Sequence, residues 1–417
     1  MLSFAPAEVG ANNADAGARE RQPTLVWWAL GAAVSSRLFI FAIGFLARSS
    51  LPVPRSHAMI LAQPSLLFGG APGRLLDGWA NMDAGWYLSI AQHGYAHQYS
   101  QAFFPLYPLL VRLFGDGGFG YVPAGIAVSL ICFLAAAVLL YSLTAELLDE
   151  HVALWAVVFL SIAPTSFFFQ AVYTESLFLL LIVALFVFAQ RRHWLLAGLM
   201  GLLATLTRSS GVVLVVPLAL FYLQSIEWQW RRIRAGILSV VLVPCGLGLY
   251  MAYLGRASGD PLLFAKVEQR WHRYFALPDV TVWLGVKAGY AGAGKVLTEH
   301  RLFSLATYLW RSDSGVMSIT NAVVLVAVVV LIALGWRRLT APYDAYATLA
   351  LIFVLLNPVA GQPLASIPRY ALVIFPLYIA LAACTERRPR VRALVVILCL
   401  IGLAWLTTRF VLFAWVA

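Results

Sequence analysis

Charge is what this chain has least of. Asp, Glu, Lys and Arg make up 11% of its 417 residues, where a soluble domain carries about 25%. That shortage excludes an ordinary soluble enzyme. Cysteine is nearly missing as well: Cys132, Cys245, Cys384 and Cys399 all fall inside apolar segments, and none forms a CxxC pair. No disulfide framework or thiolate metal site is expected of them, and they read as small packing residues. The apolar stretches are continuous and lack a strand-like alternation with polar residues, which excludes a transmembrane β-barrel.

Apolar sequence fills the space instead: 62% of residues are hydrophobic and the mean hydropathy is +0.83. Long runs lie near 24–46, 122–147, 152–171, 174–190, 194–207, 212–224, 235–254, 316–335, 342–357, 370–384 and 393–410. The expected fold class is an all-α polytopic membrane protein with about eleven transmembrane helices, two of them short. The net charge of +11 raises nucleic acid as a partner. Lys and Arg sit mostly in clusters between apolar runs, however, so the charge speaks for membrane topology and membrane lipids, with no nucleic acid.

With the N-terminus inside, Arg191–Arg192, Arg231–Arg232 with Arg234, Arg337–Arg338, and Arg387–Arg388 with Arg390 and Arg392 all fall on the cytoplasmic side, as the positive-inside bias requires. This parity needs 194–224 to be two short segments meeting at "TRSSG" (207–211). Residues 1–22 are expected to be a disordered cytoplasmic N-terminus, and 23–417 one transmembrane domain in the cytoplasmic membrane. The first run is too long for a cleaved signal and carries Arg37, so it is expected to be retained. Two long segments, about 47–121 and 255–315, then lie outside. Connections of that length usually carry function.

The first contains "GWANMDAGWYLSIAQHGYAHQ" (78–98). Read as one helix, 79–90 places Trp79, Met82, Trp86 and Ile90 on a stripe, with Asp83 at its edge and Tyr87 four residues on. That pattern fits an amphipathic helix lying at headgroup depth. "FFPLYPLLVRLF" (103–114), broken by Pro105 and Pro108, is expected to be a short re-entrant or surface helix. A carboxylate at that depth can take a proton from an attacking hydroxyl while aromatic faces pack on a sugar; it can equally be a solvated charge or one favoured at a helix N-terminus. Spacing does not choose between these.

"PTSFFFQAVYTESLF" (164–178) puts Tyr173 and Glu175 at the outer end of a hairpin, where Glu175 is either a second acidic site group or simply a first-turn carboxylate behind Thr174. Arg208, Arg369 and the outer run holding Lys266, Arg270, His272 and Arg273 oppose the positive-inside bias. They suit either a lipid phosphate or headgroup anchoring. "GYAGAGKV" (289–296) matches a phosphate-loop spacing, but Val296 stands where Ser or Thr must hold magnesium and no strand precedes it. His93 and His97 are four apart with Gly94 between them and lack an HExxH glutamate, so no metal site is expected there. Arg37, alone inside the first span, is expected in a buried structural pair or snorkelling outward.

Taken together, "MDAGWYLSIAQHGY", "FFPLYPLLVRL", "PTSFFFQAVYTESLF", "TRSSG", "GDPLLFAKVEQRW" and "PRYALVIFPLY" occur in an order that resembles bacterial relatives of the PIG-V family, from about Ser36 to Leu377. The resemblance implies a GT-C fold glycosyltransferase that takes a sugar, with mannose as the family expectation, from a polyprenyl-phosphate carrier on the outer face with inversion. The family's tryptophan-aspartate pair falls on Met82–Asp83, so the acid is present while its aromatic neighbour is replaced. The implied catalytic residues are Asp83, as general base, and Glu175. The implied phosphate-binding residues are Arg208 and Arg369; from their own place among the outer basic and aromatic residues, Arg270, Trp86, Tyr87 and Tyr173 are expected to join them in binding substrate. A divalent metal is left open, with no ligand cluster standing out, and so is the acceptor: lipid, glycan or protein. Two rivals remain. One is a lipid or glycan transporter or flippase, which the scarcity of midplane charge opposes. The other is a different undecaprenyl-dependent transferase such as an O-antigen ligase.

Overall fold

The computed structural model describes residues 23–51, 68, 70–298 and 314–416. The expected disordered stretch 1–22 lies outside the described residues, as do 52–67 and 299–313 in the two long connecting segments. The described chain is helical throughout, and its only β pairing is a pair of isolated bridges at Val359. Among the described residues five helices are long and apolar enough to cross a membrane: Leu25–Ser50, Tyr121–Leu147, Ala235–Ser258, Gly315–Gly335 and Pro389–Val411. Six shorter apolar helices pack among them, including Glu150–Ile162, Glu175–Gln190 and Trp194–Thr207. The chain is a multi-pass membrane protein.

Length sorts these helices. Trp194–Thr207 has 14 residues, about 21 Å at 1.5 Å per residue, and a bilayer core is about 30 Å thick. A helix that short, with Arg191–Arg192 at one end, stops well inside the far face. Arg208 leaves it in an extended conformation, and a 3₁₀ stretch, Ser209–Leu214, leads into Val215–Ser225. The expected break at "TRSSG" is thus a turn set below the surface. Glu175–Gln190, with 16 residues, is recessed in the same way and is buried along nearly its whole length.

Small residues allow close helix approach, as membrane packing without a hydrophobic drive requires. The Leu238–Ser258 helix lies against Trp194–Thr207. A Cβ on Gly246 would sit 2.2 Å from the Leu202 carbonyl oxygen, and one on Gly198 would sit 2.6 Å from that of Ser239.

Three local expectations are corrected. First, the stripe from Trp79 to Ile90 is not one helix. Asp77–Trp79 is a 3₁₀ turn, Met82 takes a left-handed backbone (φ 52°), and the α-helix runs Ala84–His93 with Asp83 at its N-cap. Second, the long segment 255–315 holds a further 21-residue helix, Pro278–Thr298, packed on Ser314–Gly335; the phosphate-loop look-alike lies within it. Third, among the described residues Arg37 pairs with no carboxylate. Its guanidinium donates to the Ser166 carbonyl (2.6 Å), the Ser161 carbonyl (2.7 Å) and Ser166 Oγ (3.0 Å), and lies over the Phe133 ring. Carbonyls freed by the break at Ala163 and Pro164 neutralise the cost of burying that charge, and the arginine in turn fixes the turn leading to Glu175.

Candidate active site

The ends of these helices away from the arginine clusters enclose a cavity of about 570 Å³. Four charged side chains from four distant segments meet beside it. Arg369 donates from Nη1 to Asp83 Oδ2 (2.5 Å) and from Nε to Glu175 Oε1 (2.5 Å), while Arg208 Nη1 reaches the same Glu175 oxygen at 2.9 Å. The arginine between the two carboxylates lies over the rings of Tyr173 (4.6 Å) and Phe168 (5.3 Å). Buried charges survive only when paired and hydrogen-bonded in this way.

Local structure explains how each group arrives. Asp83 occupies a helix N-cap, yet its side chain caps nothing; the left-handed turn at Met82 frees the carboxylate for Arg369. Asn81, just before it, donates to the Phe410 carbonyl (2.9 Å) and accepts at its own carbonyl from the Tyr173 hydroxyl (3.0 Å). The Val172 N–H bonds the Trp79 carbonyl (3.0 Å). These bonds tie the Asp83 turn to the Glu175 turn. Arg369 lies in the short helix Ile367–Ala371, capped by Ser366, whose left-handed backbone (φ 67°) turns the chain toward the site.

Asp83 and Arg369 line the cavity, as do Arg208, Tyr87, Tyr173 and Met82. The side chain of Asp83 is 30% exposed, that of Arg208 12% and that of Glu175 0%. Glu175 therefore stands behind the two arginines and does not reach the cavity. Trp86 is set back too, stacked on Phe103 and edge-on to Trp271. The structure does not bring Arg270 to the cavity; its guanidinium lies over the Tyr99 ring, 5.7 Å from the centroid. Burial raises the Tyr87 phenol above its ordinary range, which keeps it a hydrogen-bond donor. His93 and His97 face each other edge-on at 6.2 Å. Among the described residues no three His, Cys, Asp or Glu side chains gather as a metal site.

The family model described as Mannosyltransferase (PIG-V) matches residues 29–229. Over those residues the chain is similar to the PIG-V family. GPI alpha-1,6-mannosyltransferase 2 of Homo sapiens is 28% identical over 44% of this chain and 40% of its own length, and the Rattus norvegicus enzyme 30% identical over the same shares. GPI mannosyltransferase 2 of Drosophila pseudoobscura pseudoobscura is 25% identical over 60% of this chain and 58% of its own. The chain thus spans between two fifths and three fifths of these relatives. Two solved structures are similar in arrangement. ArnT from Cupriavidus metallidurans bound to undecaprenyl phosphate has a TM-score of 0.47 and 12% identity, over 86% of this chain and 60% of that one. The Archaeoglobus fulgidus oligosaccharyltransferase with zinc and sulfate has a TM-score of 0.43 and 14% identity, over 94% and 53%.

The PIG-V stretch holds Arg37, Asp83, Glu175 and Arg208, while Arg369 completes the network from beyond it. Of the charged cavity residues, Glu268 was not singled out by sequence reasoning, and Arg273 was named only among the outer basic residues that suit a lipid phosphate or headgroup anchoring. Both lie in the outer run that also carries Lys266 and Arg270. The run has no single helical period to select among them: a five-residue helix passes into a 3₁₀ turn and then a left-handed His272 (φ 57°).

Proposed function

We propose that this protein is an inverting membrane glycosyltransferase. It moves a sugar, mannose by its family, from a polyprenyl-phosphate carrier to an acceptor hydroxyl on the extracytoplasmic side of the cytoplasmic membrane. The relatives' names supply the sugar, and the PIG-V resemblance supplies the GT-C architecture and the lipid carrier. The observation that carries the reading is Asp83: a part-exposed carboxylate on the wall of a recessed cavity, with one oxygen held by a buried arginine and the other without a hydrogen-bond donor among the described residues.

The chemistry follows from that placement. The acceptor oxygen attacks the anomeric carbon from the face opposite the phosphate, forming one C–O bond as the bond to the phosphate oxygen breaks. The hydroxyl proton passes to Asp83, which becomes a competent base as the attacking oxygen acidifies. The electron pair of the broken bond stays on the phosphate, whose charge grows by one and calls for fixed cations. Glu175 acts as a positioning residue that holds Arg208 and Arg369 in place. Apolar side chains in the cavity lining, Phe178, Val213, Ala350, Phe353 and Val354, suit a polyprenyl tail. A recessed site serves a donor whose phosphate rides at headgroup depth.

The experiment is mannose transfer from polyprenyl-phosphate mannose by purified protein, comparing wild type with Asp83→Asn and monitoring folding by thermal melt. The expected result is transfer by the wild type and a loss of about a hundredfold or more in the folded variant. A folded wild type that transfers no mannose to any extracted lipid, glycan or protein sinks the reading. Equal transfer by both moves the base elsewhere.

A further inference from the structure

Of the arginines that line the cavity, Arg369 is held by two carboxylates and Arg208 by one. Arg273 is different. Its guanidinium donates to the Asn357 carbonyl (2.9 Å) and to the Tyr370 hydroxyl (3.2 Å), and among the described residues it makes no ion pair with a carboxylate. It does not wave on a mobile loop. Residues 272–276 run antiparallel to 356–360: Arg273 bridges Val359, the Tyr274 N–H bonds Pro358 O (3.2 Å), the Ala276 N–H bonds Leu356 O (3.1 Å), and the Ala360 N–H bonds His272 O (2.9 Å). Arg208 lies over the Tyr370 ring at 5.0 Å and Arg273 at 5.7 Å. Two guanidiniums thus flank one aromatic side chain at the cavity wall. The carboxylate with electrostatic reach to both is Glu268, also a cavity residue. Burial pushes its carboxyl above the ordinary range, and Arg273 and Arg208 draw it part of the way back.

We propose that Arg273 and Arg208, joined across Tyr370, form the cradle for the donor's lipid phosphate, and that Glu268 is the resident counter-anion which that phosphate displaces electrostatically. This rests on reading the cavity as a lipid-phosphate sugar site. It reassigns the anion-binding role from Arg369, whose charge two carboxylates already oppose, to the cation with the least opposing charge. A phosphate monoester gaining negative charge is best met by planar guanidiniums with free N–H groups. A carboxylate in the same cavity repels it.

The test uses purified full-length protein and binding alone, without catalysis. Undecaprenyl phosphate is titrated against the wild type, Arg273→Gln, Arg273→Lys and Glu268→Gln, with uncharged undecaprenol and inorganic phosphate as parallel probes. Arg273→Gln is expected to weaken undecaprenyl phosphate binding about tenfold, as loss of a hydrogen bond to a charged group does, and to leave undecaprenol unchanged. Arg273→Lys should recover part of the loss. Glu268→Gln should tighten binding by about threefold or more, a gain that general structural damage cannot produce. Undecaprenyl phosphate binding well above inorganic phosphate assigns the anion to a lipid; equal affinities keep the cradle and assign it free phosphate. Unchanged binding in a folded Arg273→Gln, or weaker binding in Glu268→Gln, overturns the cradle. A wild type that binds undecaprenyl phosphate but transfers no mannose removes the functional reading and leaves the cradle standing.

Discussion

At the scale of single residues, the site is an ion network in which burial decides what each member does. Glu175 is wholly buried and holds two guanidiniums, so Glu175→Ala leaves both without their shared partner. Its expected cost is about 3 to 5 kcal/mol, seen as a lower melting temperature or failure to fold. Asp83 is part-exposed and its neighbour Arg369 keeps Glu175. Asp83→Asn should therefore cost only about 1 to 2 kcal/mol while transfer is lost, and the contrast between the two melts checks the division of labour. The sequence marks these residues individually, because polar groups at the outer ends of apolar runs are conspicuous. It does not show their partnership: positions 83, 175, 208 and 369 are set together by helix packing, which no spacing rule encodes. Nor does it separate Arg270 from Arg273. The left-handed residue between them sends one over Tyr99 and the other to the cavity.

At the scale of elements, irregular turns aim the chemistry. The left-handed Met82 ends what periodicity reads as a continuous helix, and so brings Asp83 to the N-cap of a shorter one. Alternation of apolar residues could not reveal this, since Trp79 is buried on either reading. Pro278–Thr298 escaped notice for a related reason. Its glycines lower helix propensity, but Gly285 meets Leu364 and Gly292 meets Gly315 where a side chain would collide, so packing repays what propensity withholds. Two predictions belong here. Arg37→Met takes the guanidinium donor from the Ser166 carbonyl and leaves the Ser161 carbonyl only the Ser166 hydroxyl (2.8 Å), and is expected to destabilise by about 3 kcal/mol. Because that turn leads to Tyr173 and Glu175, kcat should fall further than KM rises in whatever protein remains folded; a melt beside steady-state kinetics reads both. Gly246→Val lies away from the cavity. A Cβ there meets the Leu202 carbonyl at 2.2 Å and Thr205 Oγ1 at 2.3 Å, so it should lower stability by about 2 kcal/mol or more. Its KM should stay unchanged.

At the scale of the whole molecule, charge and length point the same way. The clusters at Arg191–Arg192, Arg231–Arg234, Arg337–Arg338 and Arg387–Arg392 gather at the helix ends opposite the cavity, as the Glu175–Gln190 and Trp194–Thr207 helices show directly, each with its site residue at one end and arginines at the other. If the positive-inside bias holds, the cavity faces away from the cytoplasm, and a donor attached to a lipid carrier is the only activated sugar of the expected chemistry within its reach. Cysteine accessibility decides the matter. In a variant with Cys132, Cys245, Cys384 and Cys399 replaced by Ala, single cysteines at the exposed His97, on the cavity side, and the exposed Gln229, beside the second arginine cluster, report the two faces. A membrane-impermeant maleimide applied to intact cells should label His97→Cys, and should reach Gln229→Cys only after permeabilisation. The reverse pattern would turn the cavity toward the cytoplasm, where nucleotide sugars are available. The argument for a polyprenyl-phosphate donor would then lose its topological support, while the ion network at Asp83, Glu175, Arg208 and Arg369 would need another substrate to explain it.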